Sequence, residues 1–320
     1  MPRSVLVSGS IAYDRIMNFP GRFRDHIMPD KIHILNVCFS IEKLAEHFGG
    51  TGANIAYNLG LLGADTTIIG ALGQDADSYC PYFKKAGIDL SGVLKIKNAF
   101  TAAAYIITDQ DDNQITAFHP GAMNQEIIAF RRFVQIKQQI LAKSPLAIIA
   151  PSSKAGMIFL ANEYQKRKIP YIFDPGQALT LFNKTELLRC LRGAKIVIGN
   201  DYEISLIKKI SRLKLNGLLK LTEIIITTFG AQGSSIGTKA KSIKIPAFKI
   251  KKPLDPTGAG DAYRAGLIKG LIDNRPLKEC GLLASVCASF AVEKYGTQEH
   301  KFTKSEFEER LKKMNSGLAV

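Results

Sequence analysis

The stretch DPTGAGDAYRAG (255–266) contains three glycines, one proline and two aspartates just before sequence that favours a helix. The first backbone N–H groups of a helix have no partner inside the helix, and the helix dipole gives this end a partial positive charge. Glycine lets an anion approach these donors because it has no side chain. We therefore predict an anion hole formed by the N–H groups of Gly258, Ala259 and Gly260.

Asp261 follows this turn directly, where its carboxylate would repel a bound phosphoryl group unless it had a role in the chemistry. General base catalysis is such a role, in which Asp261 takes the proton of an attacking hydroxyl while the amides hold the transferred phosphoryl group. The structural alternative is that Asp261 is only a favourable acid in a first helical turn. Asp255 is expected to order the turn or a cation, and Arg264 to pair with Asp261 or face the phosphates.

Short buried strands and helices alternate along most of the chain, which indicates a doubly wound, mostly parallel α/β sheet flanked by helices. Two regions break this rhythm and are predicted to form a small β lid, namely 13–48 and 97–122. Within them, KIHILNVCF (31–39) favours a strand, and TAAAYIITDQDDNQITAFHP (101–120) favours a hairpin with the turn QDDN. The α/β body then comprises 1–12, 49–96 and 123–320. Within the body, FKKAGIDLSGV (83–93) is interpreted as a helix, a glycine stop and a turn.

The motif DPTGAGDAYRAG, together with GGTGANIAYNLGLLG (49–63), resembles the C-terminal and N-terminal motifs of the ribokinase (PfkB) family of sugar and nucleoside kinases. SGSIAYDRIMNFPGRF, FHPGAM, NDYE and GTQE are similar to the bacterial-type adenosine kinases of that family, so the resemblance covers almost the whole chain. It implies a ribokinase-like α/β fold with a β lid. It also implies an ATP-dependent phosphotransferase that acts on the primary hydroxyl of a nucleoside, adenosine at its 5′ position.

The resemblance assigns further residues to two ligands. Those implied for the acceptor are Ser10, Asp14, Gly49, Gly50, Asn54, Ala104, Phe118 and Gln177. Those implied for ATP are Asn200, Thr227, Gly230, Gly233, Thr257, Gly258 and Gly260. Mg²⁺ would be supported by Asn200 and Glu203 through waters, since this ion sheds its hydration shell reluctantly. GTQE (296–299) would lie in the wall of the adenine site or of a monovalent cation (K⁺) site.

One departure from the family pattern concerns the acceptor. Similar adenosine kinases have an aromatic residue on the first arm of the lid hairpin that stacks on the base, whereas this chain has Ala104. Phe118 on the second arm is the candidate replacement. Base stacking contributes about 1–3 kcal/mol, so its loss would broaden or shift acceptor choice. A sugar kinase acting on ribose or fructose stays open as an alternative, although FHPGAM and SIAYD favour a nucleoside.

The composition limits other classes of function. The chain has 320 residues, 46% hydrophobic and 22% charged, which is typical of a globular protein. Its net charge of +15 raises the question of a nucleic-acid partner, but the Lys-rich stretches 208–220 and 239–252 hold one aromatic residue between them, which argues against a base-stacking surface. A nucleic-acid-binding or regulatory protein on a kinase scaffold is the non-enzymatic alternative. A nicotinamide dehydrogenase is excluded because no GxGxxG follows the first strand.

Cysteine usage and hydropathy give an expected location and partners. The five cysteines are scattered without a CxxC pair, as in reducing compartments, and no apolar run is long enough to span a membrane. We expect a cytoplasmic protein that binds small molecules and no membrane, and that forms a homodimer through the β-rich edge of the lid. The excess of positive charge, including Lys251 and Lys252, would steer ATP toward its site.

Overall fold

The computed structural model describes residues 4–111 and 113–317, which form two β-sheets surrounded by helices. Residues 1–3 and 318–320 of the predicted body and Asp112 of the predicted QDDN turn lie outside the described residues. No helix in the described part of the chain combines the length and apolar character that a membrane span needs.

A nine-stranded sheet forms the body. Its strands are β1 (Val5–Ser8), β4 (Thr66–Leu72), β5 (Asp89–Lys95), β8 (Ala147–Ile149), β9 (Tyr171–Phe173), β10 (Ile196–Asn200), β11 (Ile224–Thr228), β12 (Ser234–Thr238) and β13 (Ser242–Ile245). The order is β13-β12-β11-β10-β9-β8-β1-β4-β5, and all neighbours are parallel except that β12 pairs antiparallel with both β11 and β13. The mostly parallel α/β sheet predicted from the sequence is confirmed.

The described residues form eleven α-helices, most of them on the two faces of this sheet, and the short one at 23–26 lies in the lid region. They are α1 (Phe23–His26), α2 (Thr51–Leu61), α3 (Tyr79–Lys85), α4 (Glu126–Lys143), α5 (Lys154–Lys166), α6 (Lys184–Leu191), α7 (Asp201–Ser211), α8 (Leu215–Leu218), α9 (Ala259–Ile272), α10 (Leu277–Ala291) and α11 (Lys304–Asn315), with 3-10 turns at Pro29–Ile34, Gly121–Gln125, Gly176–Leu181 and Gly230–Gln232. Successive residues of β1 pack into different cores: Val5 and Val7 join the core of α2, α9 and α10, whereas Leu6 joins that of α5, α6 and α7. Alternation with a period of two explains why a strand buried on both faces is apolar throughout.

A four-stranded sheet forms the lid. Its strands are β2 (Ala12–Asn18), β3 (Lys43–Gly49), β6 (Ala102–Thr108) and β7 (Gln114–His119), in the order β3-β2-β6-β7. The hairpin predicted at 101–120 is present as β6 and β7, paired antiparallel. Gly49 at the end of β3 leads straight into α2, so the lid joins the body next to that helix.

Two local predictions were wrong, and strand β13 was not predicted. The strand expected at 31–39 is absent: Pro29–Ile34 is a 3-10 helix whose Ile32 and Ile34 are exposed, since β3 takes the place beside β2. The turn expected at the end of 83–93 belongs to β5, whose parallel pairing with β4 outweighs the turn preference of Ser91 and Gly92. The Lys-rich stretch 239–252, for which no strand was predicted, contains β13, which closes one edge of the sheet.

Candidate active site

The first turn of α9 presents open backbone donors. Gly258 is left-handed (φ 79°), and a side chain there would press against Thr297. The Ala259 amide donates to the Pro256 carbonyl at 3.1 Å and so closes the turn. Within the described residues, the amides of Gly258, Gly260 and Asp261 have no protein acceptor. The three predicted donors therefore need one correction: Ala259 is already engaged, and the Asp261 amide is a third open donor.

The carboxyl group of Asp261 lies beside this turn and lines the cavity at the carboxyl edge of the sheet. Its Oδ2 accepts a hydrogen bond of 2.8 Å from Asn54 Nδ2. Burial raises its pKa to about 7, helped by the charges of Asp174 and Asp14, while Arg264 and the Asn54 hydrogen bond oppose the rise. A carboxylate that titrates near neutrality is suited to accept a proton from a hydroxyl.

Arg264 pairs with Asp174, not with Asp261. Its Nε and Nη2 donate to the two carboxylate oxygens of Asp174, the latter at 2.9 Å, and its Nη1 donates to the Gly260 carbonyl at 2.9 Å. Burial works to lower the pKa of Arg264, but the charge and hydrogen bonds of Asp174 outweigh it and raise that pKa. The pair therefore anchors the first turn of α9 to the end of β9. Asp174, which directly follows β9, was not predicted as a site residue from the sequence.

Asn200 and Glu203 form a capping box at the start of α7. Asn200 Oδ1 accepts from the Glu203 amide at 2.8 Å, and Glu203 Oε2 accepts from the Asn200 amide at 2.7 Å. Burial, then the nearby charge of Asp174, raises the pKa of Glu203. Asp174, Glu203 and Asp261 thus surround a single cation, Arg264, so the carboxylates outnumber the positive charge. A divalent cation fits this local excess of negative charge.

Two adjoining cavities meet at the first turn of α9. The polar one, about 540 Å³, is lined by Asp174, Gln177, Asn200, Glu203, Asp261 and Arg264 among others. The apolar one, about 400 Å³, is lined by residues such as Gly233, Ala247, Phe248, Tyr263, Ala288 and Val292. Thr228, Gly230, Pro256, Ala259 and Gly260 line both. This arrangement suits a ligand with an aromatic ring at one end and a charged group at the other, placed across the glycine turn.

Four side chains lie in one row across the lid sheet. Asp14, Ala104 and Phe118 were predicted to contact the acceptor, and His47 was not. Asp14 is directly opposite His47 on one side and Ala104 on the other, and Ala104 is opposite Phe118. All four side chains therefore lie on the same face of the lid sheet. Burial raises the pKa of Asp14 to about 6, and His47 opposes the rise. Its charge contributes to the pKa of Asp261, so this face of the lid is the one near α9.

Several residues predicted to touch ligands are engaged elsewhere. Ser10 Oγ accepts from the Thr51 amide at 3.0 Å and so caps the start of α2. Thr227 lines neither cavity, whereas its neighbour Thr228 lines both. The exposed Thr257 donates its amide to Asp255 at 2.8 Å, and Asp255 orders the turn as predicted by also accepting from the Gly296 amide at 3.0 Å.

The predicted glycines allow close packing around the start of α2. A side-chain carbon on Gly49 would lie 2.2 Å from Asp14 Oδ2, and one on Gly50 (φ 89°) would lie 2.6 Å from the Ser10 carbonyl oxygen. Gly230 and Gly233 also have positive φ, and a side chain on Gly233 would lie 2.1 Å from the Ile245 carbonyl oxygen. Most of these glycines are therefore required by the backbone itself.

Comparison with known proteins gives a consistent result. A family model described as "pfkB family carbohydrate kinase" matches residues 12–304. The nucleoside kinase of Methanocaldococcus jannaschii is 30% identical over 280 residues, which cover 87% of this chain and 90% of that protein. The structure of Burkholderia thailandensis nucleoside kinase in complex with inosine has a TM-score of 0.86 and 35% identity and covers 98% of both chains.

The same Burkholderia kinase in complex with ADP-inosine has a TM-score of 0.84 and 36% identity, covering 98% of this chain and 96% of that one. The family resemblance inferred from the sequence motifs is confirmed by these matches. The non-enzymatic alternative is set aside, because the match extends over most of the chain and includes the site described above. The chain belongs to the pfkB family of carbohydrate kinases, an ATP-using family, and is a kinase whose similar relatives include nucleoside kinases.

Proposed function

We propose that this kinase transfers the γ-phosphoryl group of ATP to the 5′-hydroxyl of a purine nucleoside, adenosine or inosine. The observation that carries the proposal is Asp261 with its raised pKa beside three open amides, at the junction of a polar and an apolar cavity. The inosine complex of the similar Burkholderia kinase supports a nucleoside as acceptor.

The chemistry follows from this geometry. Asp261 takes the proton of the 5′-hydroxyl as its oxygen attacks the γ-phosphorus, and the bond from that phosphorus to the β–γ bridging oxygen of ATP breaks. The amides of Gly258, Gly260 and Asp261 stabilise the negative charge on the transferred group. ADP leaves with the bridging oxygen, and the proton leaves from Asp261 to solvent.

The apolar cavity is proposed to take the adenine of ATP and the polar cavity its phosphates, with Gly230 lining both and Gly233 lining the apolar one. A cleft lined by Lys249, Lys251, Lys252 and Arg310 borders the apolar cavity. Its positive charge would attract a polyphosphate toward the entrance and raise the association rate at low salt.

Mg²⁺ is proposed to be supported by Glu203, with Asn200 and Asp174 nearby. In the described residues no three His, Cys, Asp or Glu side chains are grouped to bind a metal directly. Mg²⁺ commonly relies on one or two carboxylates, substrate phosphates and water, which is compatible with this arrangement. Bound there, the ion would neutralise phosphate charge. EDTA is expected to abolish turnover, and added Mg²⁺ to restore it.

The nucleoside is proposed to lie between the lid row and Asp261. Asp14 has no hydrogen-bond partner in the described part of the chain, so its carboxylate is open to accept both ribose hydroxyls. Gln177 lines the polar cavity and is exposed. Phe118, on the same face as Asp14, would stack on the base, and the small Ala104 leaves room between them.

Two further expectations belong to this proposal. A homodimer through the lid is supported by the apolar row Leu44, Met17, Ile107 and Ile115 on the opposite face of the lid sheet; Leu44→Glu is expected to give a monomer by light scattering.

A K⁺ site near GTQE predicts faster turnover in K⁺ than in tetramethylammonium at equal ionic strength.

A panel of acceptors tests the proposal. Adenosine, inosine, guanosine, ribose and fructose are assayed with ATP and Mg²⁺, and the product is identified by mass and ³¹P NMR. We expect kcat/KM for a purine nucleoside to exceed that for ribose or fructose by at least about a hundredfold, with AMP or IMP as product. A preference for a free sugar would overturn the acceptor assignment and would favour the sugar kinase alternative.

A further inference from the structure

The segment Gly296–His300 lines neither cavity, and each of its residues makes a polar contact within the protein, Glu299 with His47 Nδ1 at 3.4 Å. Gly296 donates its amide to Asp255, and Thr297 Oγ1 donates to the Phe48 carbonyl at 3.0 Å. Two tyrosines hold the backbone that follows: Tyr82 donates to the Gln298 carbonyl and Tyr57 to that of His300. Such a segment is built to hold its side chains in a single orientation.

The side chain of Gln298, only 3% exposed, reaches the base through one intermediate residue. Gln298 Nε2 donates to Asn54 Oδ1 at 2.8 Å, and Asn54 Nδ2 donates to Asp261 Oδ2 at 2.8 Å. The two amides and the carboxylate thus form a chain in which every link has the length of a normal hydrogen bond.

The direction of this chain is dictated by chemistry. An ionised Asp261 accepts hydrogen bonds only, so Asn54 must turn its NH₂ toward it and its oxygen toward Gln298. Gln298 must then present its own NH₂, because two facing amide oxygens repel. The Gln298 side chain also borders the Tyr79 hydroxyl, whose proton is donated to the Gly49 carbonyl at 2.6 Å, so that hydroxyl offers lone pairs to the same NH₂.

A second set of contacts fixes Asn54 from the other side. Asn58 Nδ2 donates to the Asn54 carbonyl at 2.9 Å, and Asn58 Oδ1 pairs with His300 Nε2 at 2.7 Å. Burial lowers the pKa of His300 to about 4, so its imidazole is neutral at physiological pH and donates from Nε2. His300 and Gln298 therefore hold α2 from one short segment.

We infer that Gln298 is a positioning residue for the base, acting through Asn54 to keep an N–H donor directed at Asp261. The inference rests on the proposed role of Asp261 and adds a positioning role for Asn54 and Gln298 to the ligand roles that the resemblance implied for Asn54 and GTQE. Its value to the reaction is that Asp261 stays available as a carboxylate in a site where burial favours its protonated form.

The charged groups around Asp261 determine how a substitution at Gln298 changes the pKa of Asp261. Arg264 on α9 favours the carboxylate, whereas Asp174 after β9 and Asp14 on β2 oppose it. A substitution that lets the Asn54 side chain turn weakens an interaction that favours the carboxylate form of Asp261 and leaves the opposing charges unchanged. The pKa of Asp261 is then expected to rise, most when a carboxylate replaces Gln298 and reverses the chain.

The test uses Gln298→Glu and Gln298→Met, which preserve length, with Gln138→Glu on the exposed side of α4 as the control for added charge. The Asp261 carboxyl is followed by ¹³C NMR in Asp-labelled protein and assigned by its loss in Asp261→Asn. We expect its titration to move up by about one pH unit or more in Gln298→Glu and about half a unit in Gln298→Met. At a pH well below the pKa of Asp261, a rise of one unit in that pKa lowers the fraction of carboxylate, and with it kcat/KM, about tenfold. Gln138→Glu leaves the titration unchanged.

An Asp261 titration that is unchanged in both Gln298 variants would overturn the inference. So would a Gln298→Met shift of the same size in wild type and in Asn54→Ala, because the residue that couples Gln298 to Asp261 is missing from the second. The wild-type protein gives a reading that needs no variant, because rapid hydrogen exchange of the Asn54 and Gln298 side-chain NH₂ groups would contradict their fixed orientation. The NMR titration does not depend on turnover. A wild-type protein that phosphorylates no nucleoside would therefore refute the proposed function alone.

Discussion

The wall behind Asp261 and the face of the lid opposite it are built in different ways. Around Asp261 the polar side chains of Asn54, Gln298 and Arg264 are already bonded to the protein. On the lid, Asp14 has no hydrogen-bond partner in the described part of the chain, and Phe118 is half exposed. The groups proposed to carry out phosphoryl transfer are therefore set before any ligand binds, whereas the groups proposed to recognise the acceptor would obtain their partners from it.

This difference separates two kinds of sensitivity. Preorganised groups act on the transition state, so damage to them lowers kcat. Groups that gain partners only on binding act on the ground state as well, so damage to them raises KM. Three substitutions probe the comparison.

The largest effect is expected for Asp261→Asn. Asparagine keeps the shape and the neighbours but cannot accept the hydroxyl proton, and general base catalysis contributes about 10²–10⁴-fold to a rate. We expect kcat to fall by that factor, with the Kd for ATP, measured by calorimetry, within about threefold of wild type. Turnover close to that of wild type would remove Asp261 as the base.

A smaller effect, mainly on the acceptor, is expected for Asp14→Asn. Hydrogen bonds to a charged group contribute about 1.5–3 kcal/mol, so the KM for the nucleoside should rise by about 10- to 100-fold. The KM for ATP should stay constant, as should both constants in Asp30→Asn, a change at an exposed site. A fall in kcat with unchanged KM would mean that Asp14 belongs to the preorganised part of the site.

The smallest effect is expected for Phe118→Ala. Loss of stacking, about 1–3 kcal/mol per base, should raise the KM for purine nucleosides by about tenfold and leave ribose phosphorylation unaffected. Ile115→Ala is the matched control, because it shortens an apolar side chain on the opposite face of the same strand. Equal losses for nucleoside and ribose would show that Phe118 supports the lid and does not stack on a base.

The sequence predicted the body of the protein well because buried strands and the glycine turn are encoded locally. The strands were recognised as apolar runs, and the glycine turn was recognised as open backbone donors next to an aspartate. The 3-10 helix Pro29–Ile34 and strand β5 were misjudged because pairing with distant strands decides them, and no local pattern reports which strand occupies a sheet edge.

The sequence indicated candidate site residues better than it indicated the hydrogen-bond partners of those residues. Asp261 was predicted from its position beside the glycine turn and Asp14 from the family resemblance, and the structure brings them close enough for the charge of Asp14 to affect the pKa of Asp261. Ser10, Asn54 and Ala259 were predicted to contact ligands, whereas their bonds within the protein were not predicted: Ser10 Oγ accepts from the Thr51 amide, Asn54 donates to Asp261 and the Ala259 amide donates to the Pro256 carbonyl. Which partner a polar group takes depends on segments far away in the chain, such as Gln298 for Asn54, separated by 244 positions.

The pH dependence of kcat/KM for the preferred nucleoside tests the central claim most directly. Burial raises the pKa of Asp261 to about 7 and that of Asp14 to about 6, and the proposed mechanism uses both as carboxylates. Activity should therefore fall as the pH drops through 7 and fall more steeply below 6, with the limb near 7 missing from the residual activity of Asp261→Asn. A rate constant that stays level from pH 8 down to pH 5 would contradict the account of Asp261 as a buried base.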